Sequence, residues 1–202
     1  MAVRMRAAER REQILDASLA LFARRGFSAT KTRDVALAAG VSEAMVFKHF
    51  PDKECLYRAL IERKIAEAES ALPLAGVAGS REAPELFFGR IASTILERIE
   101  RDPSFLRLLL FSALEGHPLA AEFDKARAAG FRTAIEEYLG RQARTAGTRN
   151  VDPVFASRAF MALVGWFAVA RTVFREPGAR RIPREKLVRE IVSVFVDGTL
   201  RR

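Results

Sequence analysis

Between Gly26 and Lys53 the chain reads GFSATKTRDVALAAGVSEAMVFKHFPDK, and this stretch restricts the fold more narrowly than any other. Val35, Ala36 and Ala39 recur on one side of a first short helix that Thr30 is placed to cap. Gly40 then supplies a left-handed stop, and Ser42 caps a second helix. That second helix, Glu43 to Phe50, turns Val46 and Phe50 inward at i, i+4. Glu43, Ala44, Met45, Phe47 and Lys48 are left on or beside the outward face. The pattern is a helix-turn-helix, and such a face fits the major groove of DNA.

The order of the residues adds to the geometry. The run GF-x-AT-x-x-RDVA-x-AAGVS, followed by VFKHF-x-DK, resembles the DNA-binding domain of the TetR family of bacterial transcriptional regulators. The amphipathic helix before it is similar to that domain's first helix. The motif covers about a quarter of the chain; the rest resembles the family in length, all-helical texture and a C-terminal apolar helix pair. The resemblance implies an all-α protein, with an N-terminal three-helix DNA-binding domain and a larger C-terminal helical domain for effector binding and dimerisation. It also implies a homodimeric, ligand-responsive regulator, acting as a repressor on a palindromic operator, with no cofactor. Carried over residue by residue, it implies phosphate contacts from Thr30, His49 and Lys53, with Lys31 a further candidate, and base-edge contacts from Arg33, Ala44, Met45 and Lys48. Ser42 and Phe47 complete the candidate DNA-binding set. The family usually has Tyr where this chain has Phe47, so a hydroxyl contact to phosphate would be missing while the aromatic body remains. Arg33 and Lys48 can donate to guanine, and Ala44 and Met45 can meet a thymine methyl, but the reading helix lacks the Asn, Gln or Arg of sharp bidentate readers. Glu43 either accepts from cytosine or favours the helix N-terminus through its charge.

Charge agrees with a polyanionic partner. The net charge is +9 over 202 residues; residues 1–53 carry 10 Lys or Arg against 6 Asp or Glu, and the remaining 149 carry 24 against 19. A basic surface favours nucleic acid first and anionic membrane second, although Arg outnumbers Lys throughout, which a GC-rich genome would also produce. Half of the residues are hydrophobic and 29% are charged, a globular composition. The uncharged run Ala159 to Ala170 is too short to span a bilayer, and the charged N-terminus has no secretory pattern. A single Cys55 forms no internal disulfide, in keeping with a cytoplasmic protein.

Periodicity organises the remainder. A first helix runs from Ala7 to Arg25 with Ile14, Ser18, Leu21 and Phe22 on one face; Arg4, Arg6, Arg10 and Arg11 form either a basic arm toward DNA or a solvated tail. A connector helix from Lys53 to about Leu72 turns Leu56, Leu60, Ile61 and Ile65 inward, and the loop-like Pro73–Ser80 follows. The expected domains are 1–53 for DNA binding, the connector 53–72, and 73–202 for effector binding and dimerisation. Five further helices are expected after Arg81. The last two, Pro153 to Phe174 and Pro183 to Leu200, are apolar over so wide an arc that a homodimeric four-helix bundle explains them better than a central helix buried within a monomer. The candidate effector pocket takes Phe87, Ile91, Leu110, Phe111, Phe131 and Trp166 as apolar walls, with Thr94, Ser112, His117 and Tyr138 as polar points, a mixture suited to a mostly apolar small molecule. An ordinary packed core explains each of these residues as well.

Catalytic patterns are missing. The two histidines lie in the motif (His49) and in a turn (His117), no metal-ligand set is spaced for binding, and no phosphate-cradling glycine motif occurs. An all-helical enzyme and a non-specific architectural DNA binder are the alternatives, and the latter has no need of the large apolar domain.

Overall fold

Each periodic segment becomes an α-helix in the computed structural model, which describes residues 7–70, 81–142 and 151–200, with backbone alone at 68–70 and 119–129. The helices are α1 Ala7–Arg25, α2 Thr32–Ala38, α3 Glu43–His49, α4 Lys53–Ser70, α5 Pro84–Arg101, α6 Ser104–Leu114, α7 Pro118–Gln142, α8 Pro153–Thr172, α9 Pro177–Arg181 and α10 Arg184–Thr199. The expected arm at Arg4 and Arg6 and the loop Pro73–Ser80 lie outside the described residues.

Two compact units divide the chain, residues 1–68 with 104–125, and residues 69–103 with 126–202. In the first unit, the apolar stripe of α1 (Ile14, Leu15, Phe22) packs with Val35 and Ala36 of α2, Val46 of α3, Phe50, and Leu56, Tyr57 and Leu60 of α4. Phe105 and Leu108 of α6 belong to the same core. The sequence-based boundary at residue 73 therefore separates α6 from the helices it packs with. The apolar residues of α6 mark it as a core helix, and only the tertiary structure reveals that it packs against α1, with Phe105, Leu106 and Leu108 buried.

Two glycines make the head's turns. Gly26 ends α1 at φ +78, the left-handed region that favours glycine, and a Cβ there would also crowd the Glu115 carboxylate. Gly40, at φ +63, closes α2: its amide donates to Leu37 O at 3.1 Å and that of Val41 to Ala36 O at 3.0 Å, the paired bonds of a Schellman ending. The cap at the other end of α2 differs from expectation. Lys31, in extended conformation, holds the N-cap position without a side-chain bond, and Thr30 lies one residue further out.

A polar tie sits deep in this unit. The Tyr57 hydroxyl meets the Ser112 hydroxyl, and both oxygens approach Leu108 O, at 3.4 and 3.0 Å. Burial pushes the Tyr57 hydroxyl above its ordinary pKa, so it stays neutral. Tyr57→Phe is expected to lower unfolding free energy by about 1 kcal/mol, because Ser112 keeps its bond to Leu108 O; chemical denaturation measures it.

The second unit is built around α5, α8 and α10, which pack on one another, with α9 against α8. Phe88 is its aromatic hub, with Phe87, Phe160 and Phe195 at ring-centroid distances of 5.1, 4.9 and 4.8 Å. Arg171 fastens the end of α8: Nε donates to Glu100 Oε1, and Nη1 to the carbonyls of Ala179 and Ile182, all at 2.7 Å. Those carbonyls belong to α9, a short helix between the two expected helices Pro153 to Phe174 and Pro183 to Leu200, and to its C-cap Ile182. Among the described residues α8 alone is long and apolar enough to cross a membrane, and a third of its apolar window is buried in the protein. Its Arg171 end is occupied by the protein contacts just described.

The apolar surplus of the last two helices is unequal. In α10, Val188, Ile191, Val192, Phe195 and Val196 are all buried within the unit, and Val194 alone of the expected arc is exposed. In α8, Phe160 and Val164 face the core, whereas Phe155 and Trp166 are 66% and 62% exposed.

Candidate nucleic-acid interface

The outward face of α3 follows from how the helix is fixed. The Ser42 hydroxyl accepts from Met45 N at 3.2 Å, Phe50 N closes the far end on Val46 O at 2.9 Å, and Val46 and Phe50 are buried. Ala44, Phe47 and Lys48 are consequently exposed, while Met45 and His49 are half-buried beside them. Lys31 and Arg33, at the start of α2, are exposed as well, as is Ser42. This group presents three cationic side chains and a small apolar surface, which suits phosphate and thymine-methyl contacts.

Two of the candidate phosphate contacts face elsewhere. Thr30 is fully buried, and its hydroxyl donates to Gly26 O at 2.7 Å, so the side chain closes the α1–α2 turn. A threonine hydroxyl can bond a carbonyl four residues back, and this local option is invisible to a capping pattern. Lys53 is also engaged: Nζ donates to Phe27 O at 2.9 Å and Thr30 O at 3.2 Å, and lies 4.1 Å from the Phe27 ring centroid. Cation–π and carbonyl contacts hold the ammonium on the loop. Sequence reasoning missed that the loop itself is a bonded object.

That loop has a second clamp. The Glu115 carboxylate, just past α6, accepts from Phe27 N at 2.9 Å and from Ser28 N at 3.2 Å. Arg107 Nε donates to Ala23 O at 2.9 Å, and Gln13 Nε2 donates to Ala39 O at 2.9 Å, so both neighbouring helix ends are tied to side chains. Asp52 accepts from Cys55 N at 2.6 Å at the start of α4; this amide holds its carboxyl below the usual range.

The candidate effector residues separate into two groups. Phe87, Ile91, Phe131 and Tyr138 are buried in the second unit, with Phe87 and Tyr138 stacked at 3.9 Å and the Tyr138 hydroxyl donating to Glu82 O at 2.7 Å. Thr94, in the same unit, donates its hydroxyl to Arg90 O at 2.8 Å. Leu110, Phe111, Ser112 and His117 instead fall in the first unit. There Ser112 pairs with Tyr57, and His117 packs 4.5 Å from Phe27 and 5.0 Å from Tyr57, with Nε2 3.1 Å from Glu54 Oε1. These two serve the core of the reading head. Trp166 is exposed, so it forms no interior wall. A separate groove of about 330 Å³ in the second unit, floored by Gly89, Val188, Val192 and Val196 and edged by Glu85, Arg189, Ser193 and Asp197, contains none of the candidates. Among the described residues no three His, Cys, Asp or Glu side chains gather as a metal site.

Comparison with known proteins gives the same picture. Residues 14–60 match the model of bacterial regulatory proteins of the tetR family, and residues 90–198 match the C-terminal domain of AefR-like transcriptional repressors. The chain is 32% identical over 131 residues to the nucleoid occlusion factor SlmA of Glaesserella parasuis, covering 63% of this chain but only 61% of that protein's length. It is 24% identical over 196 residues to the HTH-type transcriptional regulator YvkB of Bacillus subtilis, covering 93% and 95% of the two chains. In fold it resembles native NalD, the secondary repressor of the MexAB-OprM multidrug efflux pump in Pseudomonas aeruginosa, with a TM-score of 0.71, 20% identity, and 97% and 99% coverage. With one family model on the reading head and a second over more than half of its length, the chain belongs to the TetR family of DNA-binding transcriptional regulators, which are not enzymes.

Proposed function

We propose that the chain is a homodimeric repressor, released from a palindromic operator by a small, mostly apolar effector. The observation that carries the reading is the face of α3, capped at Ser42 and anchored by Val46 and Phe50, which leaves Ala44, Phe47 and Lys48 exposed beside Lys31 and Arg33. Two such helices on one dimer would enter successive major grooves. The exposed apolar residues of α8 support the dimer, and the match to AefR-like repressors supports repression. In this reading the apolar effector site lies in the second unit, among Phe87, Ile91, Phe131 and Tyr138. An effector releases DNA only if it binds the released form more tightly, and a coupling of about 1–3 kcal/mol lowers operator affinity about 5- to 150-fold.

Footprinting on the DNA flanking the protein's own gene tests the reading. No protection at moderate salt by folded protein would remove it. Given protection, Lys48→Ala is expected to weaken the operator complex by about 1–3 kcal/mol and relax preference at one base pair. Lys31→Ala, in place of the internally bonded Lys53, is expected to weaken all sequences nearly equally and flatten the salt slope by about one unit; titrations at several salt concentrations separate the two.

A further inference from the structure

Thr32 opens α2 and Glu43 opens α3, and across the turn between them the Thr32 hydroxyl donates to Glu43 Oε1 at 2.5 Å. Both residues are half-buried, and the distance is that of a charge-assisted O–H···O⁻ bond, the stronger class of side-chain hydrogen bond. The carboxylate also lies in the first turn of α3, where unpaired amides favour negative charge. Two independent attractions thus hold the side chain that would otherwise be the acidic group nearest the candidate groove-facing residues. Val35, Ala36 and Val46 pack apolar side chains between the helices and Gly40 makes the turn, and the Thr32–Glu43 bond adds a directional polar tie to that packing.

We propose that Thr32 and Glu43 form a strut that sets the pitch of the reading helix, and that Glu43 is a positioning residue acting through Lys48 and Ala44 and contacting no base. The proposal rests on the reading of α3 as the recognition helix. Without the bond the outward face of α3 shifts relative to α2, so base-edge contacts, which depend on its exact placement, are lost before the phosphate contacts are, and sequence discrimination falls before non-specific binding does.

The test begins with an operator selected by the wild-type protein from a random DNA pool, and measures binding of Thr32→Val, Glu43→Ala and the double variant to that operator and to unrelated DNA. Each single change is expected to lower the ratio of operator to non-specific affinity about five- to tenfold, and the double change to lower it no further than the stronger single one. Thr32→Ser restores the wild-type ratio. Glu43→Ala leaves the order of base preference intact at every operator position, because a strut moves the whole face. Thermal melting checks that the variants fold; these half-buried positions leave the core untouched, and the Ser rescue reads the bond itself. Multiplying losses in the double variant would overturn the strut, and so would preference lost at a single base pair in Glu43→Ala, the sign of a base reader. Enrichment of no sequence by the wild-type protein would remove the regulator reading and this proposal together, an outcome distinct from the other two.

Discussion

Phe88→Ala is expected to destabilise the second unit by about 3–5 kcal/mol, the largest loss of any single substitution considered. Phe88 has no exposed surface and touches rings from three other helices: Tyr138 of α7 at 5.7 Å, Phe160 of α8 at 4.9 Å and Phe195 of α10 at 4.8 Å. Truncation leaves a cavity whose walls are rings held by their own helices, so collapse into the space is hindered and the surviving aromatic pairs lose their edge contacts. The single tryptophan, Trp166, lies in the same unit, and its emission during urea titration reports that unit's transition. A shift in midpoint worth under about 1 kcal/mol would mean that the hub relaxes freely and is not the keystone its contacts suggest.

The second large effect concerns assembly. Trp166→Arg is expected to convert a micromolar dimer into monomer and to reduce operator affinity by at least about a hundredfold. Trp166 is exposed on α8 with Phe155 on the same outward side and Phe174 tilted against it at 5.9 Å, a cluster of large rings that a soluble monomer seldom leaves in water. Central aromatic anchors dominate interface energies, and a buried arginine without a partner adds its desolvation to the loss. Operator affinity falls as well because a monomer engages one half-site and forfeits the second, effectively intramolecular contact. Light scattering reads the mass, and retention of a dimer by this variant would move the interface away from α8. Val194→Arg, on the nearly self-satisfied α10, is expected to have the smaller effect.

Local signals made the reading head legible. The α1 boundaries, the Gly40 stop, the Ser42 cap and the inward pair Val46 and Phe50 all depend on neighbours within a few residues, which sequence displays. Side chains with two local options were not resolved: Thr30 could cap forward or bond backward, and Lys53 could reach a phosphate or the carbonyls of its own loop. Tyr57 escaped notice because a tyrosine beside an apolar stripe reads as surface until Ser112, 55 residues away, comes to meet it. Partner choice for α6 and the outward turn of Trp166 were equally hidden, since periodicity identifies a buried face without identifying what covers it. The effector residues suffered most, being chosen for composition along a segment that the tertiary structure divides between two units.

The division of the first unit into residues 1–68 and 104–125 bears on how the protein is made. As the chain leaves the ribosome, α1 to α4 emerge with Phe105 and Leu108 still unsynthesised and with the amides of Phe27 and Ser28 lacking the Glu115 carboxylate. The head's core therefore remains open until α5, which belongs to the other unit, has been produced and α6 has followed it. Synthesis at about 5–20 residues per second makes that interval a few seconds. During it, the core that α1 to α4 form lacks Phe105 and Leu108, and the 26–30 loop has Lys53 but not Glu115 to fasten it. A nascent chain stalled before residue 104 is thus expected to grip DNA only weakly, because the head that presents α3 lacks the helix that completes its core.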